Sequence, residues 1–220
     1  MIRPFGERGL LVELDDAEGA QRLDTVLRRD PPRGVLGTVP GLASLLVELD
    51  PAAHPAAAEA AINAAIASGA EADVPAPRTR VIPVVYGGEH GPDLADVAAL
   101  AGLTEDEVIA LHASTVVRVR FLGFAPGFAY IGDLPEALRV PRLATPRTRT
   151  PAGSVAIADA MTGIYPAALP GGWRVIGRTP VDLFDARRDP PAYLAPGDEV
   201  RFVAIGVDAW DGHRGPPADW

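Results

Sequence analysis

The 220-residue sequence contains no cysteine and no lysine, and each absence excludes specific chemistry. Without cysteine the chain can form no disulfide, no thiolate zinc site and no cysteine nucleophile, which argues against an extracellular protein stabilised by disulfides. All twenty basic residues are arginine, so a Schiff-base lysine and a phosphate-binding lysine are both excluded. Any binding of phosphate must therefore use arginine side chains and backbone amides.

The sequence also lacks an apolar run long enough to span a membrane. Near the N-terminus, Arg3, Glu7 and Arg8 occupy positions where a signal peptide would carry an apolar core. The alanine-rich residues 55–70 are interrupted by Glu59 and Asn63, which favours a helix packed on a protein surface. These features predict a cytoplasmic protein.

The motifs of several enzyme classes are absent as well. There is no G-x-x-x-x-G-K-[ST] phosphate-binding loop and no G-x-S-x-G nucleophile elbow. The four histidines show no metal-ligand spacing, so we expect no metal site. The formal net charge of −9 argues against general nucleic-acid binding, which relies on a cationic surface. We therefore expect no nucleic-acid partner, and the lack of an apolar span predicts no membrane association.

Up to about Tyr86 the sequence shows the pattern strand, helix, two strands, helix, strand. Residues 17–29 carry Ala20, Leu23 and Leu27 at helical spacing, and residues 55–68 form a second predicted helix that ends at Gly69. The predicted strands are residues 10–14, 34–39, 43–49 and 80–86. This order predicts an α+β protein with an N-terminal ferredoxin-like α/β sandwich over residues 1–80. Two prolines and two acidic residues within 71–77 predict a linker.

Residues 81–205 predict a second domain that begins with two helices and continues in short strands. Helices are predicted at 93–101, with Asp93 as N-cap, and at 104–113, with a capping box between Thr104 and Glu107. From residue 115 the apolar residues alternate with a period of two, as in a half-buried strand. Further strands, predicted near 154–158, 173–177, 181–184 and 199–205, alternate with turns as in a small β-barrel. Residues 206–220 lack periodicity and predict a loose C-terminal tail.

Arginine is concentrated between residues 139 and 178, where six arginines accompany a single acidic residue. Within residues 141–154, three prolines would stiffen a loop that carries Arg142, Arg147 and Arg149, and the Gly153-Ser154 pair would offer backbone N–H donors. Guanidinium groups pair bidentately with carboxylate and phosphate. The loop therefore predicts an oxyanion-binding site. The alternative is a solvated edge whose arginines pair with the acidic remainder of the chain.

Two other kinds of side chain are candidates for the site. The aromatic residues within 124–130 lie beside glycine and proline, so they can line a ligand pocket in which the Tyr130 hydroxyl orients a substrate, or they can pack in the core. His112 lies near the end of a capped helix, where the helix dipole favours a cationic imidazole. It is therefore either a structural residue or a general base.

Six segments together resemble the allophanate hydrolase subunit 1 family, also called the sporulation kinase inhibitor family. They are VPGLASLLV at 39–47, PVVYGGEHGPDL at 83–94, FLGFAPGFAYIGDLP at 121–135, PRLATPRTRTPAGS at 141–154, GRTP at 177–180 and LAPGDEVRF at 194–202. Their order and spacing fit that family from near the N-terminus to about residue 205.

The resemblance implies a cyclophilin-like β-barrel for residues 81–205 and a role as one component of ATP-dependent 5-oxoprolinase, which opens 5-oxo-L-proline to L-glutamate and releases ADP and phosphate. It implies ATP, with Mg²⁺ at the level of the complex. It also implies the homologous C subunit of 5-oxoprolinase as the direct partner and the A subunit for the complete reaction. We then expect His112 and Arg147 to be catalytic, and we expect substrate or phosphate to be bound by Arg142, Arg149, Ser154, Tyr130 and Arg178.

Two other functions remain as alternatives. Members of the family are described as inhibitors of a sporulation histidine kinase, so the chain can instead be a regulatory protein-binding module. The implied cyclophilin-like fold also suggests peptidyl-prolyl isomerisation, although a fold alone does not define an activity. A kinase inhibitor needs no ATP, a component of oxoprolinase copurifies with the C subunit, and an isomerase acts on a proline peptide as a single chain.

Overall fold

The computed structural model describes residues 1–67 and 76–220, and the chain divides into two compact units, Met1–Ala76 and Pro77–Trp220. The predicted helix stop at Gly69 lies outside the described residues, as does the predicted linker at 71–77 apart from its last two positions. Each unit has its own hydrophobic core. Within the described ranges no helix is long and apolar enough to cross a membrane.

The first unit is a four-stranded antiparallel sheet with two helices. Its strands are β1 (Ile2–Phe5), β2 (Gly9–Glu13), β3 (Val35–Pro40) and β4 (Ser44–Leu49), in the sheet order β1-β2-β4-β3. Helix α1 (Ala17–Arg29) begins where the Asp16 carboxylate accepts a hydrogen bond from the Gly19 amide (2.7 Å), and α2 spans Pro55–Ala67. The predicted face of α1, with Ala20, Leu23 and Leu27, is buried. The helix is therefore held by its apolar stripe against the core.

The ferredoxin-like arrangement predicted for residues 1–80 is not confirmed. The observed order in the first unit is two strands, helix, two strands, helix, because the largely exposed residues 2–5 form an edge strand that the apolar pattern does not reveal. The strand predicted at 80–86 belongs to the second unit as β5 (Thr79–Tyr86). Its residues 82–85 are buried at successive positions, which is typical of a strand covered on both faces.

The second unit contains a closed seven-stranded barrel, which confirms the predicted β-barrel. Besides β5, its strands are β6 (Val116–Leu122), β7 (Ala129–Gly132), β9 (Ser154–Ala158), β10 (Met161–Ile164), β12 (Arg174–Arg178) and β13 (Glu199–Ala204). They follow the order β10-β7-β6-β13-β5-β12-β9, with β13 and β5 parallel. Strands β8 (Arg147–Thr150) and β11 (Leu169–Gly171) pair separately as a two-stranded sheet. Residues 181–184, predicted as a strand, form isolated bridges.

Two helices lie between the barrel strands β5 and β6 in the chain, α3 (Leu94–Ala101) and α4 (Glu105–Ser114). The capping box predicted at the start of α4 is confirmed: the Thr104 hydroxyl accepts from the Glu107 amide (3.2 Å), and the Glu107 carboxylate accepts from the Thr104 amide (2.8 Å). Gly102 ends α3 in the left-handed conformation. The two helices contribute buried Leu94, Val97 and Val108 to the barrel core.

The prediction of a loose tail at 206–220 is wrong, because single side chains attach this segment to the barrel. The Trp210 ring stacks on His90 with 4.9 Å between ring centroids. The Asp219 carboxylate accepts a hydrogen bond from the Tyr193 hydroxyl (2.9 Å) and pairs with the buried Arg80. The periodicity of apolar residues does not reveal such contacts, because each contact is made by a single side chain and not by a repeating pattern.

Candidate functional site at the arginine hairpin

The arginine-rich segment predicted to bind oxyanions forms a hairpin outside the barrel. We call β8, β11 and residues 141–146 the arginine hairpin. Arg147 lies opposite Gly171 in the β8–β11 pair. The amide of Leu143 donates to the Gly172 carbonyl (2.7 Å), and the Arg174 Nε donates to the Pro141 carbonyl (3.0 Å). These bonds fix the loop before β8, so its arginines start from a defined backbone.

Arg147, a predicted catalytic residue, is bound end-on by a buried carboxylate. Its Nη1 donates to Asp93 Oδ2 (2.8 Å) and its Nη2 to Asp93 Oδ1 (2.6 Å). The hydrogen bonds to Asp93 raise the pKa of Arg147, so the guanidinium remains charged. Asp93 occupies the N-cap position of α3 as predicted, but its carboxylate makes no capping hydrogen bond to the helix. The prediction that this side chain caps the helix is therefore wrong.

Arg142 and Arg149 are the exposed arginines of the hairpin. The Arg142 side chain is 61% exposed, lies 4.0 Å from the Asp159 carboxylate and has its guanidinium 5.9 Å from the centre of the Trp173 ring. The Arg149 side chain is exposed and makes no hydrogen bond or ion pair with another side chain in the described ranges. Both guanidinium groups can therefore turn toward a ligand at little cost in broken contacts.

Ser154 and Arg178 are engaged differently from their predicted roles. Ser154 is buried at the start of β9, where its amide donates to the Pro151 carbonyl, and the amide of Gly153 donates to the Tyr165 carbonyl (2.7 Å). These two amides are thus not free to bind an anion, because the turn itself uses them. Arg178 donates from Nε to the Ala152 carbonyl (2.7 Å) and lies over the Trp210 ring at 5.5 Å.

An aromatic cluster contacts the arginine hairpin through Trp173 and Tyr165. It consists of Phe121, Phe124, Phe128, Tyr130, Tyr165 and Trp173. The buried Phe128 is its centre, with ring centroids 5.1 Å from Tyr130, 5.3 Å from Tyr165 and 5.7 Å from Trp173, all edge-on. Edge-to-face contacts at these distances are favourable and directional. The cluster therefore gives the site a rigid apolar wall.

The members of the cluster differ in their access to solvent. Phe124 is 59% exposed and has a φ of +67°, a left-handed conformation that is uncommon for a bulky residue. Tyr130 is half-buried and stacks on Phe121 with 4.3 Å between centroids. Tyr165 is buried, and burial raises the pKa of its phenol. Gly171 packs so closely on Tyr165 that a Cβ at that position would lie 2.1 Å from the phenol oxygen.

His112 is sealed inside the barrel core. Its Nδ1 lies 2.8 Å from the Tyr86 hydroxyl and its Nε2 lies 3.1 Å from Thr162 Oγ1. Since the Thr162 hydroxyl donates to the Ala156 carbonyl (3.0 Å), it must accept from Nε2–H, and Tyr86 then donates to Nδ1. Burial lowers the pKa of His112 to about 3. The imidazole is therefore neutral and not cationic as predicted, and it fits a structural role better than general-base catalysis.

The structure brings some of the predicted site residues together and separates others. Arg142 and Tyr130 both contact Trp173, at 5.9 and 5.7 Å from its ring centre. Arg147 is linked to β12, the strand that follows Trp173, through Asp93, which accepts from the amide of Val175 (2.7 Å). His112 lies in the core and Arg178 contacts Trp210, so these two residues are not part of the hairpin site.

Sequence reasoning missed Asp93 as a partner of Arg147. The two residues are 54 positions apart, and the only local signal, an aspartate before a helix, predicts a cap. Within residues 1–67 and 76–220 no three His, Cys, Asp or Glu side chains group as a metal site would require.

Comparison with known proteins identifies the family. Residues 1–194 match the family described as carboxyltransferase domain, subdomain C and D. The chain is 58% identical to the B subunit of 5-oxoprolinase from Escherichia coli O157:H7 over 133 residues, which are 60% of this chain and 61% of that protein. It is 50% identical to the B subunit of 5-oxoprolinase from Haemophilus influenzae over 127 residues, 58% of this chain and 60% of that one. The matches thus span about three fifths of each relative.

Solved structures share the fold of the chain. TTHA0988 superposes with a TM-score of 0.78 at 36% identity, over 90% of this chain and 40% of that one. A conserved uncharacterized protein of Pyrococcus horikoshii, PH0987, gives a TM-score of 0.59 at 38% identity, over 96% of this chain and 100% of that one. Urea carboxylase of Kluyveromyces lactis shares the fold alone, with a TM-score of 0.73 at 20% identity over 98% of this chain and 23% of that one.

A match over residues 1–194 and the named relatives agree with the resemblance carried by the sequence motifs. The chain belongs to the carboxyltransferase subdomain C and D family, and its named relatives support the allophanate hydrolase subunit 1 resemblance that the motifs predicted.

Proposed function

We propose that the chain is the B subunit of an ATP-dependent 5-oxoprolinase, which opens the lactam of 5-oxo-L-proline to L-glutamate and releases ADP and phosphate. The observation that carries the proposal is the 58% identity with a protein of that name over 133 residues. The arrangement of the arginine hairpin supports it, because the reaction handles a substrate carboxylate and a transferred phosphoryl group. Both are oxyanions that arginine binds well.

The chemistry explains why exposed arginines are useful here. A five-membered lactam resists attack by water, and phosphorylation of its amide oxygen makes the carbonyl carbon electrophilic. The negative charge that develops in phosphoryl transfer needs positioned donors. Arg142 and Arg149 are exposed at a hairpin that backbone bonds hold in place, so they are the residues of this chain best placed to supply those donors.

ATP is proposed as a co-substrate of the assembled complex, with Mg²⁺ bound to its phosphates. Mg²⁺ usually takes one or two protein carboxylates together with phosphate oxygens and water, and it does not require a cage of protein ligands. The described residues contain no cluster of three or more potential metal ligands. This chain would then contribute arginine donors, and residues of the partners would complete the nucleotide site.

We further propose that the chain acts with the homologous C subunit of 5-oxoprolinase, its direct partner, and with the A subunit, and that it is inactive alone. The matching region fills 40% of the TTHA0988 chain, so related polypeptides carry this part next to a longer remainder. A site shared between chains explains why exposed arginines in this chain have few partners of their own.

The proposal is tested by arginine variants in the complex of the three subunits. Arg149→Ala and Arg142→Ala should each lower the rate of 5-oxoproline-dependent phosphate release about a hundredfold, the usual effect of losing one oxyanion donor. Arg214→Ala is the control. Arg214 is an exposed arginine that lies far from the hairpin in the sequence, and its ion pair with Asp211, at 3.9 Å, is exposed as well. Full activity in both hairpin variants would remove the hairpin from the mechanism.

A regulatory protein-binding module is the second candidate function, and an exposed apolar face favours it. Val81, Val116 and Val203 are about half exposed on the adjacent strands β5, β6 and β13. Arg201 lies between them, with Val81 and Val116 as its cross-strand neighbours. Binding of a histidine kinase without ATP, and without the C subunit, would favour this function over the enzymatic one.

A further inference from the structure

Asp93 is an acidic side chain with only 6% of its surface exposed. A buried carboxylate is costly unless its charge is paired and its oxygens accept hydrogen bonds. Three donors meet this requirement: Nη1 and Nη2 of Arg147 and the backbone amide of Val175. The donors come from the arginine hairpin and from β12, and none comes from the helix that Asp93 precedes.

The contact with Val175 fixes Asp93 to the barrel wall. The Asp93 amide donates to the Val175 carbonyl (2.9 Å), while the Val175 amide donates to the Asp93 carboxylate (2.7 Å). The regular pairing of β12 with β9 is interrupted between Val175 and Gly177. Asp93 therefore supplies hydrogen-bond partners to Val175 at the point where the pairing of β12 with β9 is irregular. The barrel strand β12 in turn fixes the position of the Asp93 carboxylate.

The contact with Arg147 leaves part of the guanidinium available. A guanidinium has five N–H groups, and the end-on bond to Asp93 uses one from each terminal nitrogen. The Nε–H and one N–H on each terminal nitrogen remain. The Arg147 side chain is 31% exposed, so these donors have access to a ligand.

We propose that Asp93 is a positioning residue that holds the Arg147 guanidinium as a preorganised donor for a ligand oxyanion, either a phosphate or a carboxylate. Preorganisation matters because a free arginine side chain loses rotamer freedom when it binds, and a guanidinium already fixed by a carboxylate does not. The relevance to catalysis rests on the proposed function, whereas oxyanion binding at Arg147 does not depend on it.

The test uses the ¹⁵N-labelled full chain and the Arg Nε–H signals in NMR spectra. Inorganic phosphate is titrated in one arm and acetate in the other, and Arg147→Lys assigns the Arg147 signal. We expect the Arg147 Nε–H signal to move with one of the two anions in the wild type. In Asp93→Asn the apparent affinity should fall at least tenfold, because the amide cannot accept both terminal N–H groups.

Asp96→Asn is the matched control. Asp96 lies in the first turn of the same helix and also faces an arginine, Arg174, at 3.6 Å, but its side chain is 68% exposed. This variant should bind the anion like the wild type. Equal affinity in wild type and Asp93→Asn, or no movement of the Arg147 signal with either anion, would overturn the proposal.

A loss of folding in Asp93→Asn must be separated from a loss of positioning. The dispersion of the backbone amide spectrum reports folding directly, and Asp93→Glu provides a second variant that keeps the charge but displaces it by one methylene. In Asp93→Glu we expect weaker anion binding with a native amide spectrum. Native anion affinity in this variant would contradict a positioning role.

Activity of the three-subunit complex separates this inference from the proposed function. If Arg147 binds a substrate oxyanion, Asp93→Asn should raise the KM of either ATP or 5-oxo-L-proline at least tenfold and leave the other KM within twofold. A merely structural role would lower kcat through loss of active protein and leave both KM values unchanged. A complex without oxoprolinase activity would refute the proposed function, while the NMR titration would still decide the role of Asp93.

Discussion

The imidazole of His112 is hydrogen-bonded at both nitrogens inside the barrel core, so it must stay neutral for this network to persist. Its pKa of about 3 in the folded chain lies below the ordinary value of 6.5. Between these values the unfolded chain binds a proton that the folded chain excludes. Stability from this residue is therefore complete above pH 6.5 and is lost as the pH falls toward 3.

This difference predicts a measurable pH dependence. The free energy of unfolding should fall by about 2 kcal/mol between pH 7 and pH 5 through His112 alone. His112→Gln should be less stable at pH 7 but should lose this part of the dependence. Urea denaturation at pH 7, 6 and 5 measures the stability of the wild type and of His112→Gln. His213→Gln is the control, because His213 is exposed. Parallel pH profiles for wild type and His112→Gln would contradict the buried neutral imidazole.

The N-terminus of α4 is stabilised by a reciprocal pair of hydrogen bonds between Thr104 and Glu107. Thr104→Ala removes the hydroxyl acceptor and should lower the free energy of unfolding by about 1 kcal/mol. Thr104→Ser keeps the acceptor and should stay within about 0.5 kcal/mol of the wild type. Chemical denaturation of both variants checks this, and equal stability of the alanine variant would show that the Thr104 hydroxyl contributes nothing to stability.

The C-terminal segment is attached by an ion pair in which Arg80 is buried and Asp219 is partly exposed. Asp219→Ala removes a carboxylate partner from the buried Arg80 guanidinium. The free energy of unfolding should fall by about 1–2 kcal/mol, which is less than for the loss of one partner of a fully buried pair. Asp211→Ala breaks only an exposed contact with Arg214 and should change stability by less than about 0.5 kcal/mol. A loose tail would instead give no difference between these variants.

Features that depend on neighbouring residues are predicted well from this sequence. The spacing of Ala20, Leu23 and Leu27 gives α1 its buried face, and four consecutive residues give α4 its capping box. The concentration of arginine at 139–178 also marks the hairpin correctly as an exposed, positively charged element.

Features that depend on distant partners are not predictable in this way. The strand β5 is a continuous apolar run, and its sequence does not show that its neighbour is β13, more than a hundred residues later. Asp93 looks like an N-cap until Arg147 and Val175 are in place. The exposed strand β1 has no apolar alternation, and its pairing with β2 uses backbone groups that the pattern of side chains does not reveal.

At the scale of the whole molecule, the chain joins a sheet unit to a barrel unit that bears an arginine hairpin with few acidic partners. The absence of lysine leaves arginine as the only cationic side chain that is always charged at neutral pH. The exposed guanidinium groups of the hairpin suit the anionic substrate of the proposed function, for which we propose that a partner subunit completes the site. The activity should therefore require the assembled complex.

The central claim is tested most directly by phosphate release from ATP. The chain is coexpressed with the proposed C and A subunits, and release is measured with and without 5-oxo-L-proline beside the chain alone. We predict stimulation by 5-oxo-L-proline in the complex and none in the isolated chain. An intact complex that releases no additional phosphate with 5-oxo-L-proline would contradict the proposed activity and would favour a regulatory binding role.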